Sequence, residues 1–168
     1  AALSFAHELG VRYSEGLYKN TFIGRTFIMP EQAERKKSVK YKLVPQELEI
    51  RDKKVMIMDD SIVRGNTSRE IVRMLKDFGA KEVYFAVACP PVKSPCFYGV
   101  DMPTKSELIA GNMNEDEIEK YLEVDDLLYQ NINDLVEAVT RKGNHHIDTP
   151  CMACLDGKYI ANDINDTN

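Results

Sequence analysis

Residues 55–68 read VMIMDDSIVRGNTS, and this stretch decides the fold class that the sequence predicts. Four apolar residues lead into two adjacent carboxylates, Asp59 and Asp60, and then into a loop of small and hydroxyl side chains. A short apolar run of this kind is typical of a strand in the middle of a parallel sheet. Because adjacent carboxylates repel each other, we expect a metal ion, sugar hydroxyls or water to compensate their charge.

The segments on either side alternate between helical and extended patterns. Residues 67–79 predict a helix that begins with a capping box of Thr67 and Glu70 and ends at Gly79. Its apolar face consists of Ile71, Val72, Leu75 and Phe78. A strand is predicted over 81–88, then a helix over 114–122, a short strand over 125–130 and a helix over 132–143. This alternation predicts an α/β fold with a mostly parallel sheet flanked by helices.

The beginning of the chain follows a different order. Residues 3–9 keep helical spacing up to Gly10, and residues 11–29 predict one or two strands. Residues 30–43 are mostly polar and rich in lysine and arginine. This stretch is either a solvated surface loop or a mobile basic loop near an anion site.

Composition and charge limit the classes of function. The 168 residues fit one domain that can bury a core, and 43% hydrophobic with 29% charged residues is ordinary for a soluble globular protein. A net charge of −5 argues against nucleic-acid or membrane-surface binding. No apolar run has the length of a transmembrane helix, and the first residues do not resemble a secretory signal. Four cysteines without a secretory context indicate a reducing cytoplasm.

The carboxylate pair and the loop after it match the needs of a sugar phosphate. Ligands of parallel sheets bind at the carboxyl ends of the strands, and the start of the following helix favours a phosphate. Gly65 permits a close backbone approach, and Thr67 and Ser68 add hydroxyl donors. This arrangement suits a ribose 5-phosphate and matches neither a Walker loop nor a dinucleotide fingerprint. The alternative is an Asp-Asp turn before a capped helix with no ligand.

The stretch VMIMDDSIVRGNTSREIV resembles the phosphoribosyl-pyrophosphate motif of type I phosphoribosyltransferases, and its DDSIVRG form is similar to the amidophosphoribosyltransferase family. Further stretches agree in order up to about Ile160: IGRTFIMP, RKKSVKYKL, GAKEVYFAVACPPVKSPCFYGVDMPTKSELIA and CMACLDGKY. The resemblance implies a type I phosphoribosyltransferase-like fold. Residues 1–142 would form that domain without its N-terminal part, and residues 143–168 an irregular tail that carries a C-x-x-C segment.

The resemblance also implies roles for individual residues. Asp59 and Asp60 would hold the ribose hydroxyls and help to place Mg²⁺, while Arg25 and Lys42 would act in catalysis by facing the pyrophosphate leaving group. Residues from about 20 to 43 would close over the substrate. The 5-phosphate would bind to the loop residues Val63, Arg64, Gly65, Asn66, Thr67 and Ser68. Asn66 departs from the family, which usually has threonine there, so we expect a changed contact at this position.

The cysteines leave several possibilities open when only their spacing is considered. Cys151 and Cys154 form a C-x-x-C that, with His145 and His146 nearby, suits a zinc site. A thioredoxin-type redox pair is less in agreement with the sequence, because the C-x-x-C does not open a helix after a strand. Structural cysteines without a ligand are a third possibility.

The resemblance favours a metal cluster instead. One branch of the family carries a [4Fe–4S] cluster, and Cys96, Cys151 and Cys154 match three of its ligands. The fourth ligand in that branch lies upstream of this chain's first residue. Cys89 matches no ligand position and is expected to be a buried small residue, with His145 and His146 at the surface.

The resemblance implies an enzyme that opens purine synthesis. It would convert phosphoribosyl pyrophosphate and glutamine to 5-phosphoribosylamine, glutamate and pyrophosphate, with ammonia supplied by an upstream glutaminase domain that this chain lacks. The isolated chain is therefore expected to be inactive. Purine nucleotides would be feedback inhibitors, and the protein would be a cytoplasmic homo-oligomer. Two alternatives share the Asp-Asp loop: a stand-alone transferase of base salvage, and a non-catalytic regulator with the same fold.

Overall fold

The computed structural model describes residues 1–20, 43–101, 104–141 and 148–160. Five strands lie in these ranges: β1 (Leu17–Lys19), β2 (Leu43–Pro45), β3 (Lys54–Asp59), β4 (Glu82–Val87) and β5 (Asp126–Tyr129). The helices are α1 (Ala2–Leu9), α2 (Glu47–Ile50), α3 (Asn66–Asp77), α4 (Ile109–Asn112), α5 (Glu115–Leu122), α6 (Ile132–Thr140) and α7 (Ala153–Asp156), with a 3₁₀ turn over Lys105–Glu107.

The central sheet is parallel and has the order β3-β4-β5. Asp59 is paired with Val87, and Val87 with Tyr129, so the three strands end together at one edge. The prediction of an α/β fold with a parallel sheet and helices between the strands is confirmed. Within the described ranges β3 is an edge strand and not a central one. The side chain of Met56 is correspondingly 47% exposed.

The N-terminal region contributes α1 and a small antiparallel pair, β1 with β2. Part of the predicted extended stretch is therefore confirmed by β1. Residues 21–42, which contain Arg25, Lys42 and nearly all of the basic stretch, lie outside the described residues, as do His145 and His146. None of the helices in the described ranges has the length and apolar character needed to cross a membrane.

The core lies between the sheet and the helices that connect its strands. Val83 and Phe85 of β4 are almost completely buried, as are Ile118 and Leu122 of α5. The predicted apolar face of α3 is confirmed, because Ile71, Val72 and Leu75 are buried and Phe78 packs against the same cluster. Apolar side chains at helical spacing thus bring both connecting helices against the sheet.

The predicted capping box of α3 is wrong. The helix begins at Asn66 after Gly65 and has no side-chain cap, so Thr67 and Glu70 both lie inside it. A capping box occurs instead at α5, where the Asn114 side chain accepts from the Glu117 N–H at 3.0 Å. The Glu117 carboxylate accepts from the Asn114 N–H at 2.8 Å. The start of α3 is therefore left without a side-chain cap.

The described part of the C-terminal tail, residues 148–160, is mostly irregular, as predicted, but it contains the short helix α7. Leu155 of this helix packs with Val92 and Leu108 in a second, smaller apolar cluster. The carbonyl oxygen of Cys154 accepts from the N–H groups of Lys93 at 2.9 Å and Ser94 at 3.0 Å. These contacts attach the tail to the segment that follows β4.

We predict that Asn114→Ala lowers the free energy of unfolding by about 1 kcal/mol, because it removes the side-chain cap of α5. Asn133→Ala is the matched control, since Asn133 is exposed near the start of α6 and its side chain makes no hydrogen bond within the described residues. Urea unfolding followed by circular dichroism measures both changes. Equal stability of the two variants would contradict the assignment of the cap.

Candidate functional site

Asp59 and Asp60 lie together where β3 ends. Asp59 is half-buried, and the Asp60 N–H donates to its Oδ1 at 3.0 Å, while the exposed Asp60 accepts from the Ser61 hydroxyl at 3.2 Å. Burial raises the pKa of Asp59, and the negative charge of Asp60 raises it further, against the opposing effect of the backbone hydrogen bond. The folded protein thus disfavours the ionised form of Asp59. A cation or hydroxyl donors would relieve that cost.

The loop after the carboxylates leads straight into α3. Gly65 precedes the helix with φ +75°, and the Arg69 N–H donates to its carbonyl oxygen at 2.9 Å. The N–H groups of residues 66–68 belong to the first turn, where a helix offers no internal acceptor. With the positive end of the helix dipole they form a position suited to an anion. Thr67 is exposed there, and Ser68 is buried.

Gly65 is required by packing as well as by conformation. A Cβ atom at this position would lie 2.6 Å from Ile109 Cδ1 and 3.2 Å from Tyr121 Cε1. Its positive φ is also unfavourable for any residue with a Cβ. The sequence indicates a glycine for close approach to a ligand. The structure adds a second reason, which is that Ile109 of α4 and Tyr121 of α5 lie close to this position.

The segment around α4 holds the loop in place. The Ile109 N–H donates to the Val63 carbonyl oxygen at 2.9 Å. Arg64 Nε donates to Glu107 Oε1 at 3.0 Å, and this hydrogen bond is the main reason why the pKa of Glu107 is lowered. Glu107 also accepts from the backbone N–H of Thr104 at 3.3 Å. The Arg64 side chain is thus directed to Glu107, while its backbone stays in the loop.

A second group of residues approaches from α5 and its end. The Tyr121 hydroxyl donates to Asn66 Oδ1 at 2.9 Å, and the Arg69 guanidinium lies 4.6 Å from the centroid of the Tyr121 ring. Glu123 accepts from Arg69 at 2.7 Å and from Arg73 at 2.7 Å. These hydrogen bonds, that of Arg73 first, lower the pKa of Glu123 to about 2. The sequence did not indicate Tyr121 and Glu123, because their partners in the site are at least 50 residues away along the chain.

Tyr129 is a further residue that the sequence did not indicate. It ends β5 at the same edge of the sheet as Asp59. Its hydroxyl is buried without a hydrogen-bond partner among the described residues, and burial raises its pKa. A tyrosine at a strand end carries no sequence signal that separates it from a core residue.

The carboxylate pair fits Mg²⁺ by its chemistry. Among the described residues, no group of three or more histidine, cysteine, aspartate or glutamate side chains could hold a metal ion. Mg²⁺ often binds through one or two carboxylates together with substrate phosphates and water. Asp59 and the exposed Asp60 are therefore a suitable protein contribution to a shared site.

The matched cysteines lie in one region of the protein. Burial raises the pKa of Cys154 first, and the neighbouring thiols of Cys96 and Cys151 raise it further. The Tyr98 N–H donates to Cys96 Sγ at 3.4 Å. Cys89 is half-buried and also interacts with Cys154, so the prediction of a small residue in the interior is partly met. Thiols are suitable metal ligands, but among the described residues these three are not arranged as a group that could hold a metal ion.

Comparison with known proteins shows which domain family and which enzymes this chain is similar to. Residues 12–103 match the family described as Phosphoribosyl transferase domain. The amidophosphoribosyltransferase of Pseudomonas aeruginosa is 50% identical over 166 residues, which are 99% of this chain and 33% of that protein. That of Methanocaldococcus jannaschii is 49% identical over 158 residues, 94% of this chain and 32% of that protein.

Solved structures agree with these relatives. The glutamine phosphoribosylpyrophosphate amidotransferase of B. subtilis, complexed with ADP and GMP, superposes with a TM-score of 0.80 at 42% identity. The match covers 95% of this chain and 35% of that chain. The structure described as the allosteric regulatory enzyme of purine biosynthesis has a TM-score of 0.79 at 42% identity, covering 94% of this chain and 34% of that chain. The chain therefore spans about a third of the length of the proteins it matches.

We predict that Gly65→Ala lowers the free energy of unfolding by about 1–3 kcal/mol more than Gly10→Ala does, because only Gly65 of this pair lacks space for a methyl group. Gly10 is the matched control, since its φ is +67° and a Cβ atom there would have no heavy atom within 4 Å. Each variant also carries the strain of a positive φ, about 1–2 kcal/mol. Urea unfolding compares the two; equal losses would show that the contacts of Gly65 with Ile109 and Tyr121 yield without cost.

Proposed function

The chain belongs to the phosphoribosyl transferase domain family, and we propose that it forms the ribose-phosphate-binding part of an amidophosphoribosyltransferase. The complete enzyme converts phosphoribosyl pyrophosphate, glutamine and water to 5-phosphoribosylamine, glutamate and pyrophosphate. The observation that carries this proposal is the Asp59–Asp60 pair at a strand end beside the uncapped start of α3. The names of relatives at 45–50% identity support amide transfer over base salvage.

Different groups of the described residues bind the ribose hydroxyls and the 5-phosphate of the substrate. Asp59 and Asp60 accept hydrogen bonds from the ribose hydroxyls, which compensate the partial burial of Asp59 and its repulsion from Asp60. The backbone N–H groups at the start of α3 bind the 5-phosphate together with the Thr67 hydroxyl. The loop that binds the phosphate consists of Val63, Arg64, Gly65, Asn66, Thr67 and Ser68.

The residues that we assign to stabilising the departing pyrophosphate lie outside the described ranges. Arg25 and Lys42 stabilise the negative charge that develops on the leaving group. Asp59 and Asp60 would hold Mg²⁺ together with the substrate, and the ion would supply further stabilisation of the leaving group's charge. Closure of residues from about 20 to 43 excludes water, so that ammonia reacts at the sugar carbon without competition.

The proposed partners follow from the same assignment. Ammonia comes from glutamine hydrolysed by a glutaminase domain elsewhere in the protein. Purine nucleotides inhibit by feedback, which is supported by the ADP and GMP named in the complex of the B. subtilis relative. The protein acts in the cytoplasm as a homo-oligomer without nucleic acid.

We propose that Cys96, Cys151 and Cys154 are ligands of a [4Fe–4S] cluster. The proximity of Cys154 to the other two thiols and the N–H donor at Cys96 support this, because hydrogen bonds to sulfur are common around such clusters. The cluster, when bound, would cross-link the tail to the segment after β4. Its role is structural, since replacing pyrophosphate by ammonia transfers no electrons.

We predict that Asp59→Asn or Asp60→Asn in the full-length protein weakens the binding of phosphoribosyl pyrophosphate and Mg²⁺ about 10- to 100-fold. A hydrogen bond to a charged group contributes about 1.5–3 kcal/mol, which corresponds to this range. Isothermal titration measures the affinity. Hydrolysis of glutamine by itself should persist in both variants.

Asp126→Asn is the matched control for these variants. Asp126 is an exposed aspartate at the amino end of β5, away from the edge where Asp59 lies. The control variant should bind the substrate as the parent protein does. Unchanged affinity in both carboxylate variants would remove Asp59 and Asp60 from the site.

We predict that the full-length protein, purified without oxygen, is brown and contains about four iron and four sulfide per chain. Cys96→Ser, Cys151→Ser or Cys154→Ser should remove the iron, and air should bleach the colour. Cys89→Ser is the matched control and should retain the iron. Iron and sulfide analysis decides the matter: stoichiometric zinc without sulfide would replace the cluster by a zinc site, and absence of metal would leave structural cysteines.

A further inference from the structure

We propose that Tyr121 is a positioning residue for the 5-phosphate, acting through the side-chain amide of Asn66. The inference rests on the proposed function, because it concerns the same phosphate-binding loop. The contact that carries it is the hydrogen bond from the Tyr121 hydroxyl to Asn66 Oδ1, at 2.9 Å. The two residues are 55 positions apart, so the contact exists only in the folded protein.

The hydrogen bond determines which end of the amide faces a ligand. Asn66 is the first residue of α3 and is exposed, and its Nδ2 makes no hydrogen bond within the described part of the chain. A phosphate is an acceptor only, so Nδ2 must face it and Oδ1 must face away. Tyr121 donates to Oδ1 and thereby stabilises that orientation. Without the hydroxyl, the amide can also present its oxygen to the phosphate, which is repulsive.

The ring of Tyr121 is itself held by contacts that do not involve its hydroxyl. It packs against Gly65, where a Cβ would lie 3.2 Å from Cε1. The Arg69 guanidinium lies over the ring, and Glu123 holds that guanidinium at 2.7 Å. Phenylalanine keeps the packing and the cation–π contact. Tyr121→Phe therefore removes the proposed positioning effect and leaves the support of the loop in place.

The effect should fall on binding and not on chemistry. We expect this contact to contribute uniform binding, equal in the ground state and the transition state, because the reacting bond is at a different carbon of the ribose. Tyr121→Phe in the full-length protein should weaken the binding of phosphoribosyl pyrophosphate about three- to tenfold, the range expected for one neutral hydrogen bond, with kcat within about twofold of the parent. The binding of ribose 5-phosphate should weaken equally. Pyrophosphate, which has no 5-phosphate, should bind as it does to the parent.

A double-mutant cycle with Asn66→Thr tests whether Tyr121 acts through the amide. The hydroxyl of threonine is both donor and acceptor and can rotate toward the phosphate by itself. In the Asn66→Thr protein, Tyr121→Phe should therefore change the affinity by less than about twofold. Tyr84→Phe is the control for loss of a tyrosine hydroxyl, because that hydroxyl donates to Glu82 on the same strand.

Isothermal titration of the parent, both single variants, the double variant and the control with phosphoribosyl pyrophosphate and Mg²⁺ decides the outcome. Absence of binding by the parent overturns the proposed function and this inference with it. If the parent binds and Tyr121→Phe binds equally well, the inference alone is overturned. An equal loss from Tyr121→Phe in the parent and in the Asn66→Thr protein would also overturn it, since Tyr121 would then act by another route. A fall in kcat of more than about twofold with Tyr121→Phe would do the same.

Discussion

The close contact between Gly65 and the two helices beside it is the constraint on which the site depends. The residue has a positive φ, which turns the chain from the end of β3 into α3, and it leaves no room for a Cβ beneath Ile109 and Tyr121. A side chain there would force the Ile109 methyl group and the Tyr121 ring to shift. The positive φ of Gly65 is the turn that leads the loop into α3. Phosphate recognition and core packing thus require the same glycine.

The local part of the site could be predicted from the sequence. An apolar strand, two carboxylates, a glycine and a helix start lie within the consecutive residues 55–68, and the edge of a parallel sheet is a known position for ligands. The supporting contacts could not be predicted. Glu107 and Tyr121 are ordinary polar residues in their own segments, and nothing in their spacing points to Arg64 or Asn66. Only the packing of α4 and α5 against the loop brings them together.

The differences between the predicted and the observed secondary structure have separate physical causes. Thr67 and Glu70 have capping-box spacing, yet the helix begins one residue earlier because Gly65 supplies the turn. The apolar run before Asp59 is typical of a strand in the middle of a sheet; β3 has β4 as its one neighbour within the part of the chain that the structure describes, and strand composition does not specify how many neighbours a strand has. The α7 helix is too short to show periodicity. Periodic patterns predicted α3 and α5 because each has a long, well-defined apolar face.

The separation of the supporting residues along the chain has a consequence for the order of folding. The contacts that hold the phosphate loop join positions 43, 54 and 55 residues apart. Contacts of such range form slowly, since the entropy of closing a large loop is lost before the contact compensates it. During synthesis the carboxylates and the loop emerge well before α5, so the loop remains without its support until that helix has docked. A ligand that requires the ordered loop therefore distinguishes completely folded chains from those in which only the strands have paired.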